Sequence, residues 1–430
     1  MKQFLLSLLL TVFMSIAGTI VTYSDNYYGH DIAVDNEDGV TIYYNYINDG
    51  KELEVTFKEG HLRSSDNAFF HYGYEGVKTL RIPETVTYMN RTRKVTRIGA
   101  RAFQYAYLSS VIIPNTVTSI ADHAFYDCIY MESVNIPSSV TSIGAEAFYQ
   151  KGYQYFKAVY ISDLTAWCNI DFKDNPLTYA HHLYLNGEEI KKLVIPNSVT
   201  SIPRYAFDGC SGLTSVTIPN SVIAIGNYAF RDCSGLTNAN IPNSVSSIGD
   251  WVFSGCKRLT SVTIPNTVTC IPHCAFSRCE ALSSVTIPNS VTIIDNQAFG
   301  FCTSLTSVTI PSSVTSIGAN AFCGIDNLLE VVSLITEPFN IYKSVFSQNT
   351  FFNATLRVPV GTTEKYKSTG GWDNFVWIEE DASLGINSSV VNKNLDNNRF
   401  TIDGKQILQN NKGINILKMP DGTMRKVVVK

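Results

Sequence analysis

Cysteine and histidine are the side chains in this chain best suited to act as nucleophiles or metal ligands, and their spacing limits which chemistry they can do. The 430 residues include ten Cys and seven His. Cys270, His273, Cys274 and Cys279 form the one group with a metal-like composition, yet the C-x2-H-C order lacks the paired dyads of structural zinc. Two readings stand for Cys270 and Cys274, a local bridge or free thiols. His181-His182 has no Cys or carboxylate partner nearby in sequence and reads as a pair of solvated loop histidines. Asp35-Asn-Glu-Asp38-Gly39 opens like a calcium loop but has Tyr46 where the closing Glu belongs, so it reads as a turn. Glu188-Glu189 and Glu379-Glu380-Asp381 read as charged runs in a loop and a linker. There is no H-E-x-x-H, no phosphate-binding glycine loop and no G-x-S-x-G. The expectation is therefore no catalytic, cofactor-binding or metal-binding residues, and no enzymatic activity.

The elements that carry these residues are set by an internal repeat. Pro196, Pro219, Pro242, Pro265, Pro288 and Pro311 stand 23 residues apart, and Pro114 and Pro137 keep the same spacing. One unit reads Leu213-Thr-Ser-Val216-Thr-Ile218-Pro219-Asn220-Ser-Val222-Ile-Ala-Ile225-Gly226-Asn-Tyr-Ala229-Phe230-Arg-Asp-Cys233. Leu213, Val216 and Ile218 fit the inner side of a short strand, Pro219-Asn220 a turn, and Val222 to Ile225 a second extended segment. A helical turn is then expected to carry Ala229, Phe230 and Cys233 into the core. One such coil buries too little apolar surface to offset its own ordering entropy, so coils must stack and cover one another's backbone edges. The expected fold is a β-rich solenoid of 23-residue coils. Its interior column is Phe207, Phe230, Phe253, Phe276, Phe299 and Phe322, with Cys210, Cys233, Cys256, Cys279 and Cys302 as a ladder beside it. Parallel side chains on adjacent coils hold sulfurs too far apart to join without backbone movement, so these are read as buried free thiols.

Two surface features remain. Outward positions of the first strand repeat as Ser215/Thr217, Asn238/Asn240, Ser261/Thr263, Ser284/Thr286 and Ser307/Thr309, a weakly charged hydroxyl face that is either solubilising or a binding surface. Nineteen of the 23 tyrosines precede residue 190. Tyr153, Tyr155, Tyr160 and Trp167 are the ligand-binding candidates, because rigid aromatic rings with polar tips concentrate at interaction hot spots. Burial of the same rings beneath an insertion is the competing reading.

The string L-x-x-V-x-I-P-N-S-V-x-x-I-G-x-x-A-F-x-x-C resembles the bacterial leucine-rich repeat proteins of the BspA type. The resemblance implies a leucine-rich repeat array over 77–378, a place on surfaces or in secretions, a role in adhesion to host proteins and cells, and no catalytic residues. Val159-Tyr-Ile-Ser-Asp163 through Trp167 and Phe172, then Asn175-Pro176-Leu177 and Leu183-Tyr-Leu-Asn186-Gly187, is similar to an insertion in such arrays, here at about 149–190. Asn186-Gly187 also reads by itself as a two-residue hairpin turn. Arg357-Val-Pro359-Val-Gly361, a short helix over 362–367 and Gly370-Gly371-Trp372-Asp-Asn-Phe375 look like the family's closing cap, at about 355–378. The segment 399–430, with Lys412-Gly413-Ile-Asn-Ile-Leu-Lys and Lys426-Val-Val-Val-Lys430, resembles the C-terminal sorting domain of the type 9 secretion system, behind a polar linker over 379–398.

At the other end, Lys2, the apolar run Phe4 to Ile16 and Ser15-Ile16-Ala17 have the form of a signal peptide over 1–17. Thirteen apolar residues cannot cross a bilayer core that needs about 20, so no membrane span is expected in the mature chain. An N-terminal cap is expected over 18–76, with a strand pair around Asp49-Gly50. Lys+Arg 33 against Asp+Glu 37 gives 33 − 37 = −4. With no basic stripe to neutralise phosphates, nucleic acid is excluded as the main partner. The chain therefore reads as an exported protein, at the cell surface or extracellular, whose partner is an extracellular protein or glycan. A macromolecule-binding role leads, a glycan-binding surface protein follows and a secreted hydrolase comes last.

Overall fold

A computed structural model describes residues 30–57, 74, 77–152, 155–384, 399–400, 413–418 and 424–429. The signal-like segment 1–17, Tyr153 and the linker residues 385–398 lie outside the described residues. The chain divides between Glu380 and Asp381 into two units.

The first unit is a β-solenoid whose coils are joined by three hydrogen-bond ladders. The first-strand ladder runs through Lys192–Val194, Ser215–Thr217, Asn238–Asn240, Ser261–Thr263 and Ser284–Thr286, all parallel and displaced by one 23-residue period. Within each strand the middle residue turns inward and its neighbours outward, the period-2 alternation that buries Leu193, Val216, Ala239 and Val262. A second ladder joins Ser201–Ile202, Ala224–Ile225 and Ser247–Ile248, and another stretch of it joins Cys270–Ile271, Ile293–Ile294 and Ser316–Ile317.

The third segment of each coil corrects the expectation of a helical turn. It is a run of tight turns in which Tyr205, Tyr228, Trp251, Cys274, Gln297 and Asn320 take positive φ between 52° and 61°. That left-handed residue aims alternate N–H groups along the array. Phe207 N–H donates to Ala229 O at 2.8 Å, Phe230 to Val252 at 2.9 Å and Phe253 to Ala275 at 2.9 Å. A helix would have spent those donors inside its own coil, leaving the edge unpaired.

At the N-terminal end the structure has three strands where a pair was expected. Ile32–Asp35, Thr41–Ile47 and Glu52–Thr56 pair antiparallel, and Glu52–Thr56 then runs parallel to Arg91–Ile98, which opens the second-strand ladder. The acidic run is the turn between the first two strands: the Asn36 side chain accepts from Asp38 N and Val40 N. At the other end Trp372 and Phe375 pack on Phe346, the last ring of the interior column.

The insertion is a remodelled coil. Ala158–Ile161 and Leu183–Leu185 continue the first-strand ladder, and Asp171–Phe172 continues the second. Asn186 and Gly187 turn the chain with φ of 52° and 88°, pairing Tyr184 with Glu189. Where this coil lacks backbone donors, side chains replace them. Ala206 O, which a Phe N–H of the preceding coil would otherwise reach, instead accepts from Trp167 Nε1 at 2.9 Å and Asn175 Nδ2 at 3.0 Å. Phe172 O faces Pro203, which has no N–H, and accepts Arg204 Nε at 2.7 Å. Thr178 Oγ1 donates to the buried Asp208, which also holds Arg231 through two contacts of 2.8 and 2.6 Å.

The second unit contains Arg399–Phe400, Gly413–Lys418 and Met424–Val429, an antiparallel meander with Arg399 opposite Leu417 and Gly413 opposite Val429.

Candidate functional site

The repeated core residues lie inside. Phe207, Phe230, Phe253, Phe276, Phe299 and Phe322 are at most 1% exposed. Their rings stack with centroids 5.3 to 5.8 Å apart and planes within 12°. Cys210, Cys233, Cys256, Cys279 and Cys302 are buried and unbridged, as are Cys270 and Cys274 in the sense of having no disulfide. The structure shows what places the thiols: Cys233 Sγ donates to Phe207 O at 3.1 Å, and Cys256, Cys279 and Cys302 reach Phe230 O, Phe253 O and Phe276 O at 3.2 Å. Each thiol thus satisfies a carbonyl one coil back. Burial pushes the Cys210 and Cys302 thiols up to about 12 and Cys233 and Cys279 well above the ordinary thiol range, so none is poised as a nucleophile. Among the described residues no group of three or more His, Cys, Asp or Glu is arranged to hold a metal ion.

The four aromatic candidates do not form one cluster. Trp167 is 1% exposed and its N–H is committed to Ala206 O, so the expectation of a contact residue is corrected: this ring fastens the insertion to the array. Tyr155 is 49% exposed and stacks on Tyr130, itself 47% exposed, at 6.3 Å. Tyr130 in turn lies 5.3 Å from Tyr107. Tyr160 is half-buried on the outer side of Ala158–Ile161, in register with Tyr184 and 4.8 Å from its ring. The candidate site is therefore two tyrosine rows that meet in the segment 155–161, bordering the strand face of the array.

Position in the coil explains the longer row. Tyr107, Tyr130 and Tyr155 each immediately precede a buried residue two positions ahead of the first strand, namely Leu108, Met131 and Phe156. Tyr107 and Tyr130 are one period apart, a signal present in the sequence, whereas Tyr155 is displaced by the surplus residues ahead of the insertion. A further row was legible in the same way. Tyr205, Tyr228 and Trp251 are spaced by 23 and stack on the turn side at 4.9 and 6.1 Å, with the Arg204 and Arg231 guanidinium groups 5.3 and 5.0 Å from Tyr205 and Tyr228.

Charges near the strand-face rows include the exposed Glu132 and Lys157 and a paired cluster at the insertion. His182 Nδ1 meets Glu189 Oε1 at 2.6 Å, and Lys191 Nζ lies 3.4 Å from the other oxygen. Beyond the insertion the outward strand positions carry the Ser, Thr and Asn columns. Such a surface can offer ring edges, phenolic hydroxyls and neutral hydrogen bonds.

The model of the family described as BspA type Leucine rich repeat region matches the chain in six copies, over residues 96–168, 178–299 and 269–363. Comparison with curated proteins gives no significant match. Among solved structures, the chain is similar to a leucine rich cell surface protein from Faecalibacterium prausnitzii A2-165, at 24% identity and TM-score 0.44, covering 84% of this chain and 97% of that one. It is also similar to a leucine-rich repeat protein from Bacteroides ovatus ATCC 8483, at 24% identity and TM-score 0.33, covering 70% and 94%. The pneumococcal vaccine antigen PcpA aligns at 16% identity and TM-score 0.46, covering 82% and 99%.

Proposed function

The chain belongs to the BspA-type leucine-rich repeat family, and on that premise we propose that it is an exported protein, displayed or released, that binds an extracellular protein through the strand face of its array. Tyr107, Tyr130 and Tyr155 are the anchor. The observation that carries this reading is that row of rings, stacked one coil after another and nearly half exposed at Tyr130 and Tyr155. Rings already ordered by stacking lose little side-chain freedom on binding, which leaves more of the contact energy as affinity. The signal-like segment 1–17 and the sorting-like segment 399–430 support export, and no helix of the described residues is long and apolar enough to cross a membrane.

A glycan partner would need an open ring face to stack against a sugar. Here Tyr130 has a ring on either side of it in the row, at 5.3 and 6.3 Å, which favours protein over glycan. The test is a screen of the pure mature protein against extracellular-matrix proteins and a glycan array, followed by Tyr130→Ala and Tyr155→Ala on the hit. A protein hit is expected, weakened about tenfold by each substitution and depending little on salt, because few charges take part. A glycan as the sole hit, or a protein hit indifferent to both substitutions, refutes the proposal.

A further inference from the structure

The second-strand ladder is interrupted once inside the regular part of the array, between Ser247–Ile248 and Cys270–Ile271. Either side of this seam the pattern is constant. Ser201 pairs with Ala224 and Ala224 with Ser247, and Cys270 pairs with Ile293 and Ile293 with Ser316. The flanking bond repeats as well on either side: Gly226 N–H donates to Ile202 O, Gly249 to Ile225 O, Asp295 to Ile271 O and Gly318 to Ile294 O, at 2.7 to 2.9 Å. At the seam the residue in that place is Pro272, which has no N–H to offer Ile248 O. The bond from Thr269 N–H to Ser246 O is also missing among the described residues, although Ile223, Ser246, Thr292 and Thr315 all donate in this way to the preceding coil. Ile248 is half-buried, whereas Ile202, Ile225, Ile271, Ile294 and Ile317 are at most 3% exposed.

A proline in this place opens the backbone ladder at the insertion too, where Asp171–Phe172 and Ser201–Ile202 are not paired, but a side chain can bridge the gap. Pro203 occupies the same position at the insertion, and there Arg204 Nε supplies the missing donor to Phe172 O. The residue after Pro272 is His273, whose Nδ1 lies 3.0 Å from Asn296 O on the coil ahead while its ring packs edge-on against Trp251 at 5.4 Å on the turn side, so its Nδ1 is engaged away from Ile248 O. Beside Ile248 and Ile271 the seam carries the polar or ionisable side chains Asp250, Cys270 and Asp295, with both carboxylates close enough to raise the thiol of half-buried Cys270 beyond the effect of burial.

The other two ladders cross the same boundary intact. Asn238–Asn240 pairs with Ser261–Thr263, and on the turn side Trp251, Phe253 and Gly255 donate to His273, Ala275 and Ser277 at 2.8 to 2.9 Å. We infer that this seam is a one-sided hinge. The array opens between Ile248 and Ile271 on the second-strand side and bends about the first-strand and turn-side ladders, admitting water and exposing Cys270. Because the strand face lies on the retained side, hinge motion alters the curvature of that face between its N-terminal and C-terminal coils.

Hydrogen exchange and thiol labelling of the full chain test this. The amides of Thr269 to Ile271 should exchange about tenfold faster than their equivalents Thr292 to Ile294, the change expected from losing about one net backbone hydrogen bond. Val262 and Thr263, across the same boundary on the first strand, should stay as protected as Val216 and Thr217, which like them are paired on both sides. Pro272→Gly restores the residue type used in other coils, and His273→Arg copies the arrangement at Pro203. Either should slow exchange at Thr269 to Ile271 and slow labelling of Cys270, read by peptide mass, and the second variant answers the question should the first fold poorly. Equal protection of the two amide sets in the wild type overturns the inference. Loss of protection at Val262 and Thr263 overturns it as well, since the opening would then not be one-sided, and so does a folded pair of variants with unchanged exchange.

Discussion

Phe253→Ala removes a ring from the middle of the interior column. Phe253 is fully buried, with Phe230 at 5.3 Å and 3° on one side and Phe276 at 5.8 Å and 5° on the other. Truncating a buried Phe costs about 3 to 5 kcal/mol, and two lost ring pairs at roughly 1 kcal/mol each account for part of that sum. The cost belongs in the upper half of the range because the site cannot collapse. The Phe253 backbone is pinned by its N–H to Ala275 O and by the Cys279 thiol on its carbonyl, and both neighbours are pinned alike. In a solenoid each coil is held mainly by its neighbours, so a weakened interface in the middle separates the two halves energetically. Urea unfolding followed by far-ultraviolet circular dichroism and by tryptophan fluorescence should show a lowered first midpoint and a split transition. Phe253→Leu, which keeps most of the volume, should lose much less. Unfolding of the alanine variant at the wild-type midpoint, in one step by both probes, would refute the column as the source of stability.

Two further outcomes follow from the titratable groups. The ladder thiols should react slowly with a thiol reagent in the intact protein and reductant should leave the melting point in place, because burial holds Cys210, Cys233, Cys256, Cys279 and Cys302 protonated; linked ladder cysteines in unreduced protein, detected by mass spectrometry, would contradict this. Burial beside Asp208 and Glu146 raises the Asp174 carboxyl to about 6. A carboxyl raised on folding stabilises the fold while protonated, so this contribution is complete below about pH 4 and is lost as pH rises through about 6, with an upper bound of about 3 kcal/mol. Asp174→Asn should flatten the stability profile over that window, and an unchanged slope in denaturant titrations from about pH 4 to about pH 7 would exclude Asp174 as its source.

The sequence by itself determined the period, and through it the β-solenoid, the inward Val and Ile positions of both strands and the turn at Asn186-Gly187. The turn follows from its residue types and the rest from spacing alone, since stacking identical coils puts every 23rd residue in one column. The stacked row Tyr205, Tyr228 and Trp251 was equally readable by that rule. The tertiary structure decided what depends on direction between coils. The third segment is built from left-handed turns because its N–H groups must point along the array, a demand that propensity within one coil does not contain. Trp167 became a fastening residue because the remodelled coil before Ala206 lacks a backbone donor, and a ring N–H was in place to supply one. Pro203 and Pro272 are alike in sequence, each following an Ile at the end of a second strand. Only the folded chain shows that Arg204 reaches back to Phe172 O while His273 reaches forward to Asn296 O, because which coil a side chain bonds is settled by the donors and acceptors its neighbours have left unpaired.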